Sequence, residues 1–94
     1  MNQLISITTN ENDEQLVSGR ELHKFLGVKT RYSIWFDRMS EYGFTEDIDY
    51  TAVVQKRTTA QGNRTEYIDH AMKLDMAKEV SMIHVNIQAM HILL

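Results

Sequence analysis

Between Val17 and Tyr50 the chain reads VSGRELHKFLGVKTRYSIWFDRMSEYGFTEDIDY, and its start and stop signals leave room for two short helices with almost nothing between them. Ser18 followed three residues later by Glu21 is a helix start, the hydroxyl taking the third backbone N–H while the carboxylate reaches back. Gly27 is the stop. Leu22, Phe25 and Leu26 fall at i, i+3 and i+4, one narrow apolar face over about three turns. After only Val28 and Lys29, Thr30 can cap a second helix that ends at Gly43. Ile34, Trp35 and Met39 supply its buried side, and Arg31, Asp37, Arg38 and Glu41 remain polar. Such a pair has the grammar of a helix-turn-helix.

A chain of 94 residues is expected to make one small domain, residues 1–94, burying little more than about 60% of its unfolded surface. A roomy enzyme cleft does not fit in so small a core. With no cysteine there is no disulfide framework and no thiolate zinc site, as expected of a reducing cytoplasm. The polar, acidic start MNQLISITTNENDEQ does not read as a signal peptide. No window reaches the roughly 18 apolar residues of a membrane span, so no membrane partner is expected.

The formal charge of −3 argues against nonspecific nucleic-acid binding, which depends on phosphate neutralisation. The distribution of charge argues the other way. Arg20, Lys24, Lys29, Arg31 and Arg38 face only Glu21 and Asp37 in their segment, and Lys56, Arg57 and Arg64 form a second group. Glu11, Asp13 and Glu14, then Glu46, Asp47 and Asp49, fill two acidic loops. A polarised surface follows, although solvated faces would give the same pattern.

After the helix pair, Ile48–Arg57 (IDYTAVVQKR) and Arg64–Ile68 (RTEYI) are rich in β-branched and aromatic residues, with the polar loop TTAQGN between them. Two strands around such a loop make a hairpin, which after a helix-turn-helix is a wing. Asp69 can cap a last helix, with Met72, Met76, Val80 and Ile83 along one side. Near the N-terminus, Leu4–Thr8 and Glu14–Ser18 read as a short hairpin. The expectation is an α+β, winged helix-turn-helix-like domain in the order ββααββα with a C-terminal helical extension.

The run LVSGRELHKFLGVKTRYSIWFDRMSEYGFTEDIDY, followed by QKRTTAQGNRTEYIDHAMKLDMAKEVSMI, resembles the AntA/AntB antirepressor domain of phages and prophages, a relative of KilA-N and Bro-N type DNA-binding modules. The resemblance covers Gln15 to Ile83. It implies a phage-encoded transcriptional regulator in the cytoplasm of a bacterial host, which relieves repression and promotes the switch from lysogeny to lytic growth. Family members usually continue with a basic stretch resembling RNEKGKxAR, whereas residues 84–94 read HVNIQAMHILL. In that extension Val80, Ile83, Ile87, Met90 and Leu94 are spaced 3, 4, 3, 4, a two-heptad coiled-coil seam suited to self-association; folding back on the chain's own core is the alternative.

Double-stranded DNA and a phage repressor are the two partners to weigh. On the DNA reading, the N-terminal residues of the second helix, Thr30, Arg31, Tyr32 and Ser33, meet base edges in the major groove. Lys29 and Arg38 bind phosphate, while Lys56, Arg57, Asn63 and Arg64 flank the wing tip. Arg38 also has a plainer role open to it, pairing with Glu41. Adjacent Trp35 and Phe36 point about 100° apart, so a small core is expected to bury only one fully. Trp35 is the core residue on this reading, and Phe36 the anchor for a protein partner, together with the seam. His23, His70, His84 and His91 show no metal-ligand spacing. No nucleophile, base and orienter set appears, so neither enzyme activity, cofactor, metal nor small-molecule substrate is expected.

Overall fold

A computed structural model describes residues 5–93, and Leu4 and Leu94, expected in the first strand and in the C-terminal seam, lie outside them. The elements are β1 (Ile7–Thr9), β2 (Gln15–Ser18), α1 (Gly19–Phe25), α2 (Tyr32–Ser40), β3 (Tyr50–Thr58), β4 (Arg64–Lys73) and α3 (Leu74–Leu93). The fold is α+β. The strands form one antiparallel sheet in the order β1-β2-β4-β3. No helix among the described residues is long and apolar enough to cross a membrane.

The two hairpins become one sheet because β4 runs past Ile68 to Lys73 and pairs with β2, Val17 opposite Met72 and Ser18 opposite Ala71. This corrects the expected helix start at Asp69, since α3 begins only at Leu74. The Asp69 carboxylate is engaged elsewhere. It accepts from Ser18 Oγ at 2.5 Å and from the backbone N–H groups of Arg20 at 3.0 Å and His70 at 2.7 Å, although the residue is buried. A buried carboxylate persists only when bonded in this way. Ser18 meanwhile accepts from Glu21 N–H at 3.2 Å, the expected N-cap of α1.

The connection between α1 and α2 is longer than the spacing predicts. Gly27, at φ +67°, turns the chain out of α1. His23 Nε2 then bonds the Thr30 carbonyl at 2.6 Å. Thr30 is therefore not the cap of α2. Arg31 occupies that position without a side-chain bond, and the helix starts at Tyr32.

The core consists of Val17, Leu22, Tyr32, Trp35, Phe36, Met39, Met72, Met76, Ala77 and Val80. Both Trp35 and Phe36 are buried, at 4% and 3% exposure, against the expectation that only one would be. The reason is that α2 is covered on two sides. Phe36 stacks on His70 of β4 at 3.6 Å and receives the edge of Tyr50, while Trp35 meets His23 of α1 at 5.3 Å. Phe36 is thus a core residue and not an exposed partner anchor. Ile34 and Phe25 are 45% and 52% exposed, so the apolar faces predicted for both helices are rotated relative to the core.

The expected seam on α3 is mostly turned inward. Val80 is completely buried, and Ile83 and Ile87 pack against the core; of the described seam residues only Met90 stands exposed. These positions therefore serve the fold-back alternative, because α3 returns over the sheet as β4 ends. Its outer side instead exposes Met82, Val85 and Ile92.

Two substitutions test this framework. Asp69→Ala leaves the Ser18, Arg20 and His70 donors without their acceptor and is expected to cost about 2–4 kcal/mol in urea unfolding. In Gly19→Ala the new Cβ overlaps the Tyr32 hydroxyl, which is held in the core. The expected cost is about 1–3 kcal/mol, partly relieved when Tyr32→Phe is added.

Candidate nucleic-acid interface

Strand pairing sets where each cation of the β3–β4 hairpin points. Paired residues share a face and successive residues alternate. Lys56 opposite Glu66 and Thr58 opposite Arg64 continue the face of Met72 and His70. Arg57 opposite Thr65 and Gln55 opposite Tyr67 continue the other. From Val54 to the tip and back to Glu66 every residue but Thr59 is exposed, so this half of the hairpin is an arm extending beyond the core. Its turn is ordered by Thr59 and Asn63, which bond each other across Gly62 at φ +84°. Lys56, Arg57, Asn63 and Arg64 all lie on this arm, but Lys56 and Arg57 are on opposite faces.

At the base of the arm, β2 has ended and the edge of β4 is open. Arg20 of α1 covers one carbonyl of it. Its Nε donates to the Ile68 carbonyl at 2.8 Å, and its guanidinium carbon lies 4.5 Å from the Tyr32 ring and 5.0 Å from the Tyr67 ring. Arg57 approaches the same Tyr67 ring at 5.1 Å. Cations over aromatic faces are held by the ring quadrupole. Together with Lys24 and Gln55 they border an open depression of about 710 Å³ on the sheet face away from the core. Arg20, Lys24, Gln55 and Tyr67 were not among the expected site residues. The available signal was the spacing of Arg20 and Lys24, four apart on one helix face, and the alternation along β4 that sets Tyr67 beside Arg57.

The other expected DNA-contacting residues are dispersed. Arg31 and Ser33 are exposed at the start of α2. Lys29 and Arg38 border a separate groove against α3. Thr30 is half-buried, with its carbonyl engaged by His23. Tyr32 is 6% exposed and its hydroxyl bonds His70 Nδ1 at 2.7 Å, so it is a core residue that cannot reach a base edge. Burial, followed by the nearby Asp69 carboxylate, pushes the Tyr32 hydroxyl far above its ordinary range and keeps it protonated. Among the described residues the one ion pair is Lys73–Glu14 at 2.9 Å, so Arg38 does not pair with Glu41.

A family model described as AntA/AntB antirepressor matches residues 17–86, from β2 into α3. The chain belongs to the AntA/AntB antirepressor family. The match bears out the resemblance read from Gln15 to Ile83 and takes in α1, α2 and the arm. Comparison with curated proteins and with solved structures gives no match. Within this antirepressor domain β1 and the last turns of α3 fall outside the matched span.

His70 joins the core part of β4 to α2 and contributes a pH dependence to the stability of the domain. Desolvation holds its pKa below the ordinary histidine value, outweighing the pull of Asp69. The unfolded chain therefore takes up this proton first as the pH falls. Stability is full above about pH 6.5 and declines as the pH drops through the lowered folded value. Thermal unfolding followed between about pH 7.5 and 5 is expected to show a falling midpoint, with a shallower fall in His70→Asn.

Proposed function

We propose that this AntA/AntB family member is a phage or prophage transcriptional regulator that relieves repression and promotes the switch from lysogeny to lytic growth by binding double-stranded DNA. The observation that carries the reading is the arm, a two-stranded ribbon with basic residues on both faces and no core beneath it. A ribbon of this kind fits the major groove, which is about 12 Å wide. Arg57, Asn63 and Arg64 near the tip are in reach of base edges, while Lys56 and Lys24 neutralise phosphate. Arg20 fixes the arm's base through Ile68 and Tyr67, so the ribbon meets DNA already oriented. On α2, Arg31 and Ser33 remain the side chains free to contribute. Glu66, opposite Lys56, is the one acid on the arm, and the clusters Glu11, Asp13, Glu14 and Glu46, Asp47, Asp49 lie in loops outside it, which accommodates a chain of net charge −3.

A second reading, capture of a repressor protein without DNA contact, is favoured by one observation. The outer side of α3 exposes Met82 at 65% and Ile92 at 83%, an apolar surface more suited to protein than to phosphate.

The deciding measurement is fluorescence anisotropy of a mixed-sequence duplex titrated with the protein over a range of salt concentrations. Binding should weaken steeply with salt, and Lys56→Ala or Arg57→Ala should each reduce the slope of log K against log salt by about 1. Absence of binding at low salt overturns the DNA reading. Co-elution of a repressor from nuclease-treated lysogen extract, lost in Met82→Ser, would then support the second.

A further inference from the structure

The groove between the α1–α2 connection and the C-terminal half of α3, about 640 Å³, carries chemistry that the DNA reading leaves unused. Its apolar lining includes Leu26, Met39 and Ile87, and Lys29 and Arg38 stand beside them. No aspartate or glutamate lines it. Neither cation is in an ion pair among the described residues. A ligand that fits this surface offers an apolar side chain beside two negative charges.

The same chain presents such a group. The loop Thr45–Asp49 is tied together by Thr45 N–H to Asp49 Oδ2 at 2.8 Å, Asp49 N–H to the Thr45 carbonyl at 2.8 Å, and Asp47 N–H to the Tyr50 carbonyl at 2.6 Å. Asp49 thus uses its carboxylate internally. Glu46 and Asp47 are exposed and in no ion pair among the described residues, and Ile48 between them and Asp49 is 61% exposed. Asp47 sits at φ +65°, a left-handed conformation that the surrounding bonds hold in place. The loop is therefore a fixed apolar knob with two free carboxylates, and little ordering entropy is lost when it binds. None of its residues lines the groove of its own chain.

We propose that this groove receives the Thr45–Asp49 loop of a second copy, with Ile48 against Leu26 and Ile87, and with Glu46 and Asp47 facing Arg38 and Lys29. The site and its complement both stand preformed on one chain, which favours a second copy over a foreign acidic protein or a phosphate. The contact is small, so the association is weak and sensitive to salt. It is independent of DNA binding. The groove also draws on Ile87 and His91, beyond the span of the family match.

Sedimentation equilibrium of the full chain over a wide concentration range, at low and at high salt, reads the proposal directly. The average mass should rise with concentration above that of one chain and fall back in about 0.5 M salt, where screening is strong. Arg38→Glu and Glu46→Lys should each weaken association at least about tenfold, and the two together should restore it. Both side chains are exposed, and circular dichroism checks that each variant folds. Ile48→Ser, which removes the apolar side chain that enters the groove, should weaken association as well. A monomer at every concentration overturns the proposal, as does association unchanged by either charge reversal or failure of the double variant to recover. Association lost in Met82→Ser but kept in Arg38→Glu assigns it to the outer side of α3 and overturns it too.

Discussion

The carboxylate of Asp69 stands at the junction of the parts that define this molecule. It lies on β4 where that strand leaves β2, accepts from Ser18 and from the Arg20 backbone, and so fixes the start of α1 to the centre of the sheet. With α1 placed, Arg20 reaches the edge of β4 and the rings of Tyr32 and Tyr67. Next along the strand, His70 positions α2 by stacking on Phe36 and bonding Tyr32. A charge buried with three donors is strongly bound to one geometry, because any other leaves it desolvated and unpaired. The orientation of the arm is an indirect result of that local requirement.

Much of this was readable from local signals. Ser18 and Glu21 marked the start of α1, Gly27 its end, and the composition of Ile48–Arg57 pointed to strand; in each case the determining contacts lie within a few residues. The failures arose where distant partners decide. Asp69 looks like a helix cap because aspartate usually is one, yet here its partners are about fifty positions away in sequence and the strand continues through it. Trp35 and Phe36 were expected to compete for one buried side. Two separate surfaces, one on α1 and one on the sheet, close over α2 and bury both. Ile83 and Ile87 carry a period that fits a coiled-coil seam and a packed helix equally well, and only tertiary placement separates the two.

The candidate interface was legible as composition but not as geometry. The sequence marks the hairpin as basic, yet Lys56 and Arg57 are neighbours that point to opposite faces, so no single basic surface contains both. Conversely, Arg20 and Arg57 are far apart in sequence and approach the same tyrosine ring. Tyr32 reads as a helix-start residue available to DNA, but its hydroxyl finds His70 across the core. What a motif treats as a recognition position is here a packing position, and the exposed chemistry has moved to the ribbon.

The arm also has two bare backbone edges. β3 is an outer strand of the sheet, and beyond Ser18 the other side of β4 has lost its neighbour, with Arg20 covering only the Ile68 carbonyl. Unpaired strand edges are templates on which identical chains can stack into fibrils. Val54 and Ile68, exposed and side by side, would supply an apolar strip for such stacking. The like charges of Lys56, Arg57 and Arg64 oppose it by repulsion between arms. Replacing these cations all at once removes that repulsion and leaves both edges and the apolar strip open to stacking.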